Sequence, residues 1–159
     1  MPIALSLVSR AVLSALQKGG RSIDGLVIEE GAPPPSFIID SALSDLEAGR
    51  HLLWSSFFFF VEEPGRAIGA GGFRGAPHRG RVEIGYHVAP AYQGQGVATA
   101  AAALLVRTAF SQPGVTEVFA ESAVDNVASR RVLEKVGFIH IGQRMSADDG
   151  LLDQWLMRR

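Results

Sequence analysis

The hydrophobic period of this chain changes once near its middle, and the change restricts the folds that the chain can adopt. From Arg81 to Val88 polar and apolar residues largely alternate, which is typical of a β-strand. After Tyr92 the apolar residues recur every three to four positions, which predicts a helix that Pro113-Gly114 ends. A strand, a glycine-bearing turn and a helix in this order indicate a mixed α/β protein.

Short elements are predicted on both sides of this unit. Residues 1–50, with a loop at residues 31–35, are expected to form a helical, loop-rich cap, and Leu52–Glu62 is expected to be a strand buried on both faces. The other expected helices and strands are Arg10–Lys18, Ser41–Ala48 and Asn126–Val136 as helices, and Arg66–Phe73, Arg81–Val88, Val115–Ser122, Phe138–Met145 and Leu151–Met157 as strands. This order predicts an α/β fold with a mixed, mostly antiparallel sheet and helices on both faces.

The composition limits the classes of partner and cofactor. Fifteen Lys and Arg residues balance sixteen Asp and Glu residues over 159 positions, so a single domain, residues 1–159, without a nucleic acid partner is expected. The chain has no cysteine, and His51, His78 and His140 lack the spacing of metal ligands, so no metal site is expected. The most apolar runs, Leu52–Val61 and Val97–Val106, are well below the ~20 residues of a membrane helix. A cytoplasmic protein without a cleaved leader or a membrane partner is therefore expected.

The turn before the central helix has the features of an anion site. The first N–H groups of a helix have no partner within the helix, and the helix dipole adds positive potential there. Gly94 and Gly96 would let an anion approach the main chain, although two glycines can also serve only to permit a sharp turn. A dinucleotide fingerprint requires glycine at position 99, where this chain has Thr99, and the Gly-Lys-Ser/Thr of a nucleotide triphosphate loop is absent. The ligand indicated is a phosphate or a pyrophosphate.

Two ordered stretches resemble the coenzyme A motifs of the GNAT superfamily of N-acetyltransferases. The first pattern is Gln or Arg, two residues, Gly, one residue, then Gly or Ala, and Gln93, Gly96 and Ala98 fulfil it. The second stretch is Asn126–Phe138, which is most similar to the branch that contains the ribosomal-protein N-terminal acetyltransferases. The resemblance covers Ile68–Phe138 closely and the two ends of the chain only in outline.

The resemblance implies an enzyme that transfers the acetyl group of acetyl-CoA to a primary amine, either a protein N-terminus or a small molecule, by direct attack. It also implies a sheet that splays open at the cofactor site, and it leaves a homodimer open. Asn126 would cap its helix and contact the pantetheine or the adenosine. The other residues implied for the cofactor are Val88 and Ala89 for pantetheine, Gln93, Gly94, Gln95, Gly96, Val97, Ala98 and Thr99 for pyrophosphate, and Arg130 or Arg131 for a phosphate if these two are not simply part of a solvated face.

Ser129 is a candidate for protonating the departing thiol. Ser129, Val132, Leu133 and Val136 share one face of the predicted helix, so a hydroxyl is expected where carbon usually packs, although it could bond to the preceding helical turn. In much of the superfamily a tyrosine four residues before the glycine of this motif is the acid, and here that position is Leu133. In the related branch a serine placed like Ser129 is the substitute.

Glu83 is the leading candidate for the general base. On the predicted strand Glu83, Gly85 and His87 share one face, and an acid within a central strand usually has a partner or a task. The partner could be Arg74, Arg79 or Arg81. His87 could act as the base instead.

Two other functions and the acceptor stay open on the sequence. Loss of the usual tyrosine allows a non-catalytic acyl-CoA sensor or scaffold, and Thr99 disfavours a dinucleotide-dependent enzyme. The aromatic residues Trp54, Phe57 to Phe60, Phe73 and Tyr86, together with His87, could form apolar walls beside the acceptor, although four consecutive phenylalanines are more often core.

Overall fold

The computed structural model describes residues 2–159, which form one extended sheet with helices packed against it. The strands are β1 (Ile3–Leu7), β2 (Ser22–Ile23), β3 (Leu26–Ile28), β4 (Phe58–Glu62), β5 (Arg66–Phe73), β6 (Arg81–Val88), β7 (Glu117–Ala123), β8 (Ile139–Ser146) and β9 (Gly150–Arg158). The helices are α1 (Arg10–Gln17), α2 (Ser36–Glu47), α3 (Leu52–Ser55), α4 (Val97–Phe110) and α5 (Val127–Val136). Within residues 2–159, each helix is too short or too polar to cross a bilayer.

The sheet is mostly antiparallel and opens between two of its central strands. Its strand order is β1-β4-β5-β6-β7-β9-β8, and β6 and β7 form the parallel pair within that order. Their ladder joins only Arg81–Glu83 to Glu117–Phe119, although both strands continue beyond it. The predicted mixed, mostly antiparallel and splayed sheet is therefore confirmed. We call the gap beyond Glu83 and Phe119 the split.

Helices cover both faces of the sheet, as predicted, and the phenylalanine run supplies both cores. Phe58 and Phe60 are buried in the cluster that contains Leu105 of α4 and Leu133 of α5. Phe57 and Phe59 are buried in a second cluster with residues of α1 and α2. Because alternate side chains of a strand point to opposite faces, four consecutive phenylalanines fill two cores at once. The run is therefore core.

The first third of the chain departs from the sequence prediction at three points. The cap is not only helical, because Ile3–Leu7 is an edge strand paired with β4 and residues 22–28 form a small hairpin. The predicted strand Leu52–Glu62 is instead helix α3 followed by a strand from Phe58. The ring of His51 ends the extended conformation there, since its Nδ1 accepts a hydrogen bond from the N–H of Leu53 at 3.2 Å and starts the helix. Helix α2 begins at Ser36, directly after the proline loop, and not at Ser41.

The second half agrees closely with its prediction. Asn126 caps α5, because its Oδ1 accepts from the N–H of Ser129 at 3.0 Å, and Gly137 ends the helix in the left-handed conformation with φ +113°. The closing hairpin of β8 and β9 is present. These elements place the starts of α4 and α5 on either side of the split.

Candidate active site

A cavity of about 620 Å³ lies between β6, the turn before α4 and the first turns of α5. Nine residues predicted for the site line it: Val88, Gln93, Gly94, Gly96, Val97, Ala98, Thr99, Asn126 and Ser129. Ala89 does not line it, because Ala89 is fully buried and its N–H donates to the carbonyl of Ile68 at 2.8 Å. Gln95 points away, with its side-chain amide donating to the carbonyl of Ala91 at 3.3 Å.

The start of α4 offers free main-chain donors to this cavity. Gly96 is the N-cap, with φ +81° and no side chain to cap the helix, so the N–H groups of the first turn lack a side-chain acceptor. A Cβ added at Gly94 or Gly96 would meet no atom within 4 Å, which shows that the space in front of both glycines is open. Open space, free N–H groups and the positive end of a 14-residue helix suit a pyrophosphate. This end of the cavity therefore fits the phosphate portion of coenzyme A.

The main chain of β6 presents hydrogen-bonding groups to the split. The main-chain groups of Glu83 and Ala89 point to β5. The carbonyl of Glu83 accepts from the main-chain N–H of Arg74 at 2.9 Å, and the N–H of Ala89 donates to the carbonyl of Ile68. Because the two edges of a strand alternate residue by residue, the N–H and C=O groups of Tyr86 and Val88 point the other way, beyond the end of the β7 ladder. The side chain of Gln93 donates to the carbonyl of Val88 at 3.0 Å. The N–H of Val88 is directed to the split.

Ser129 faces the cavity and meets a phenol there. Its Oγ lies 3.2 Å from the hydroxyl oxygen of Tyr86, and either group can be the donor. The serine therefore bonds across to β6 rather than to the preceding turn of its own helix. Burial raises the pKa of Tyr86 above its usual value, while the bond with Ser129 acts in the opposite direction. Tyr86 is thus a protonated donor at neutral pH.

Glu83 lies on the opposite face of β6, where it has a cationic partner. The Nε of Arg74 is 3.2 Å from Oε2 of Glu83, so the predicted ion-pair alternative is present with Arg74. Burial is the main influence on this carboxyl and raises the pKa of Glu83, with Arg74 opposing it and Glu121 adding to it. The pair leaves the carboxyl half-exposed, so the ion pair and a catalytic role are compatible.

Glu121 stands across the split from Glu83 but is held far more firmly. Two guanidinium N–H groups of Arg144 donate to its two oxygens at 2.9 and 2.7 Å, and Gln154 donates at 3.2 Å. The bonds from Arg144 lower the pKa of Glu121. The two carboxyls on this face therefore have pKa values shifted in opposite directions, upward for Glu83 and downward for Glu121.

His87 is engaged as a structural donor. Its Nε2 lies 2.9 Å from the carbonyl oxygen of Ala32, and because a carbonyl only accepts, Nε2 carries the proton of this bond. The bond ties β6 to the loop before α2. The other nitrogen of the ring remains a possible acceptor, but the geometry favours Glu83 over His87 as the base.

A second cavity, of about 640 Å³, lies between α2, α3 and the end of β5. It shares no lining residue with the first cavity among residues 2–159. Of the aromatic residues predicted for the acceptor side, Trp54 and Phe73 line this second cavity, whereas Tyr86 and His87 line the first. Arg74 also lines the second cavity, which places the cavity beside Glu83.

Two features of the site were not predicted from the sequence: the contact of Tyr86 with Ser129, and Lys135 at the cofactor cavity. Tyr86 was predicted to form part of the acceptor wall, yet its hydroxyl contacts Ser129. The sequence signal for this contact was the position of Ser129 on the inward face of the predicted helix Asn126–Val136. Arg131, one of the two arginines predicted for a phosphate, lines the cofactor cavity one helical turn from Lys135. Arg130 does not, because its guanidinium donates to the buried Asp153 at 3.2 Å.

Comparison with known proteins connects this geometry to one family of enzymes. The family model described as acetyltransferase (GNAT) domain matches residues 36–139. YdaF of Bacillus subtilis, whose name describes a ribosomal N-acetyltransferase, is 39% identical over 71 residues, which are 45% of this chain and 37% of that protein. The chain spans between 26% and 44% of the length of the curated relatives it matches.

Solved structures with low sequence identity share the fold. A spermidine N-acetyltransferase chimera from Vibrio cholerae and hSSAT has a TM-score of 0.72 at 15% identity, covering 99% of this chain and 96% of that chain. The aminoglycoside acetyltransferase AAC(6')-Ib in complex with coenzyme A has a TM-score of 0.67 at 22% identity, covering 99% and 95%.

Proposed function

Because this chain belongs to the GNAT acetyltransferase family, we propose that it transfers the acetyl group of acetyl-CoA to a primary amine. The observation that carries the proposal is the split between β6 and β7, with main-chain donors and the uncapped start of α4 on one side and the ionisable Glu83 on the other.

On the acceptor side, Glu83 removes a proton from the amine. An α-amine of pKa ~7.7–8.0 lies about 1 kcal/mol from its neutral form at pH 7, whereas a lysine-like amine of pKa ~10.4 lies roughly 4–5 kcal/mol away. A half-buried carboxyl with a raised pKa accepts such a proton more readily than an ordinary one. Glu121, which Arg144 holds in place, can accept a further hydrogen bond from an ammonium group.

On the cofactor side, the first turn of α4 holds the pyrophosphate and the edge of β6 holds the pantetheine. Acetyl-CoA supplies, when bound, an activated acetyl group. The N–H of Val88 is the donor that we assign to the carbonyl oxygen as it becomes negative. Ser129, which Tyr86 holds in place, donates a proton to the departing sulfur. Base and acid thus lie on opposite faces of β6, so the amine approaches from one side and the thiol leaves on the other.

Thiol release from acetyl-CoA, measured against an unbiased panel of amines, tests the proposal. We expect release that depends on the amine and is matched by an equal amount of N-acetylated product in the mass spectrum. A non-catalytic sensor would bind acetyl-CoA, as calorimetry would show, and release no thiol with any amine. Protection from thermal unfolding by NAD rather than by acetyl-CoA would instead favour a dinucleotide-dependent enzyme.

A further inference from the structure

One wall of the second cavity is apolar and lies outside the proposed cofactor site. Trp54 and Phe73 form it in an edge-to-face contact with ring centroids 4.9 Å apart, and Phe37 stands at the cavity with its side chain 69% exposed. A large apolar side chain exposed beside two aromatic rings in edge-to-face contact can gain stabilisation by covering an apolar group of a ligand. A cavity of about 640 Å³ has room for a group as large as an aromatic side chain.

At the β5 end of this cavity, a lining arginine is paired with a carboxylate that lies just outside the lining. Arg74 lines the cavity, and its Nε is 3.2 Å from Oε2 of Glu83. A Cβ added at Gly85 would lie 3.0 Å from Nη2 and 3.3 Å from Cζ of Arg74, so the guanidinium lies across the bare glycine of β6. Gly85 thereby lets the cation rest next to the proposed base. An α-amino acid carries an ammonium and a carboxylate on one carbon, which is the complement of this pair.

The other charges around the cavity disfavour a polycationic acceptor. Arg50 also lines it and pairs with Asp45, the carboxylate on that wall. Among residues 2–159 the lining thus holds two guanidinium groups, Arg50 and Arg74, against one carboxylate, so an amine with several positive charges would meet an excess of positive charge. The hydroxyl of Ser56, which borders the cavity, is buried and has no hydrogen-bond partner among residues 2–159, so a polar group of the ligand would satisfy it.

From this juxtaposition we propose that the acceptor is a free α-amino acid with a large apolar side chain, a proposal that rests on the proposed acetyl transfer. The ammonium group faces Glu83, the carboxylate binds the guanidinium of Arg74, and the side chain lies against Trp54, Phe73 and Phe37. A free carboxylate suits Arg74 better than the neutral carbonyl of a peptide, because a hydrogen bond between two charged groups is the stronger one.

The transfer balances with groups already named. Glu83 takes one proton from the ammonium group and passes it to water. The nitrogen forms a bond to the acetyl carbonyl carbon while the carbon–sulfur bond breaks. The second proton of the nitrogen is lost to solvent as the sulfur receives one from Ser129, which regains its own from solvent. The products are an N-acetyl amino acid, the free thiol of coenzyme A and one proton in solution.

The test compares acceptors that differ by one group, with wild type and three variants. The acceptors are L-phenylalanine, phenethylamine, which lacks the carboxylate, the dipeptide Phe-Ala, and spermidine. The variants are Arg74→Gln, Arg74→Lys and, as a matched control, Arg158→Gln, which removes an exposed arginine that pairs with Glu117 away from both cavities. We expect kcat/KM for L-phenylalanine to exceed that for phenethylamine by about tenfold or more, and Arg74→Gln to abolish this difference. Arg74→Lys should retain part of it, and Arg158→Gln all of it.

Binding of L-phenylalanine to the complex with free coenzyme A, measured by calorimetry, separates this proposal from the proposed function. Amino acid binding that Arg74→Gln weakens, without acetylation of any amine, would support the amino acid site and contradict acetyl transfer. Acetylation of phenethylamine or spermidine as efficiently as L-phenylalanine, unaffected by Arg74→Gln, would overturn the amino acid proposal and leave acetyl transfer intact. A preference for Phe-Ala would overturn it in favour of a peptide N-terminus.

Discussion

At the scale of single residues, the proposed mechanism gives Ser129, in contact with Tyr86, the role of the acid that protonates the thiol. Leu133 occupies the position at which the resemblance to the GNAT motif implies a tyrosine, and Leu133 is completely buried in the core. A phenol added there would overpack the core and would not reach the cavity without displacing its neighbours. Strand β6 instead brings the phenol of Tyr86 to the hydroxyl of Ser129.

Replacing Ser129 by Ala should lower kcat and kcat/KM together by about tenfold or more, because the lost hydrogen bond is made mainly in the transition state. Tyr86→Phe should lower both less, since Ser129 would keep its proton but lose its orienting partner. The free energy of unfolding should change by no more than ~1 kcal/mol. Steady-state kinetics and denaturant titration measure these effects, with Ser44→Ala on the exposed face of α2 as the control. A raised KM with unchanged kcat would instead make Ser129 a ground-state contact.

If Glu83 is the general base, kcat/KM should decrease on the acid side of its pH profile. As a base it acts only when ionised, so kcat/KM should fall as the pH drops through its raised pKa, and Glu83→Gln should lower turnover at pH 7 by ~10² and remove this decrease. A raised native pKa means that the protonated form stabilises the fold, and that this contribution is lost as the pH rises through the native pKa. Glu83→Gln should therefore not reduce thermal stability at pH 7. Full activity of Glu83→Gln at pH 7 would transfer the role to His87 or to solvent.

At the scale of elements, the start of α4 is built to be left without a side-chain cap. Asn adopts left-handed conformations more readily than other side chains, so Gly96→Asn should keep φ near +81° while filling the open space before the helix. We expect acetyl-CoA affinity, measured by calorimetry, to fall about tenfold or more with the fold retained. Gly114→Asn is the matched control, because Gly114 has φ +85°, the same open surroundings and no place in the cavity. Equal acetyl-CoA affinities of Gly96→Asn and Gly114→Asn would contradict the proposed position of the pyrophosphate at this turn.

A second element-scale feature joins α5 to the closing hairpin. The buried carboxylate of Asp153 on β9 accepts hydrogen bonds from Arg130 of α5 and from His140 and Gln143 of β8, at 3.2, 2.8 and 3.0 Å. The bond from Gln143, followed by those from His140 and Arg130, lowers the pKa of Asp153. This one carboxylate therefore fixes the helix that carries Ser129 against the sheet.

Asp153→Asn should lower the free energy of unfolding at pH 7 by about 1–3 kcal/mol, since an amide replaces an ionised acceptor of three hydrogen bonds. Because the native pKa of Asp153 is lowered, its contribution is complete above its unfolded pKa of ~3.9 and is lost as the pH falls through the native value. Denaturant titrations should therefore show the difference from wild type shrinking in acid. Glu117→Gln, which loses exposed ion pairs, should change stability by less than ~1 kcal/mol. A difference that persists in strong acid would contradict the electrostatic origin.

At the scale of the whole molecule, the sequence predicted the half of the chain in which local signals agree with tertiary packing. The period change after Tyr92, the cap at Asn126 and the stop at Gly137 each have a local physical cause. Helices α4 and α5, which these signals define, were both predicted. Strand β1 was missed because its partner, β4, lies about fifty residues away, and no local signal reports such a pairing. The contact of Tyr86 with Ser129 depends on register between elements, which composition and period do not determine. For the same reason the sequence left the partner of Glu83 open among three arginines, of which Arg74 is the one observed.

In the proposed reaction, the two substrates would enter through two cavities that share no lining residue among residues 2–159. Acetyl-CoA and the amine can then be bound at the same time and in either order. Each product can leave through the cavity by which its precursor entered. Plots of reciprocal rate against reciprocal concentration of one substrate, at several fixed levels of the other, should give lines that intersect. Parallel lines would mean that the thiol departs before the amine binds, through an acetylated enzyme. The chain has no cysteine to carry that acetyl group.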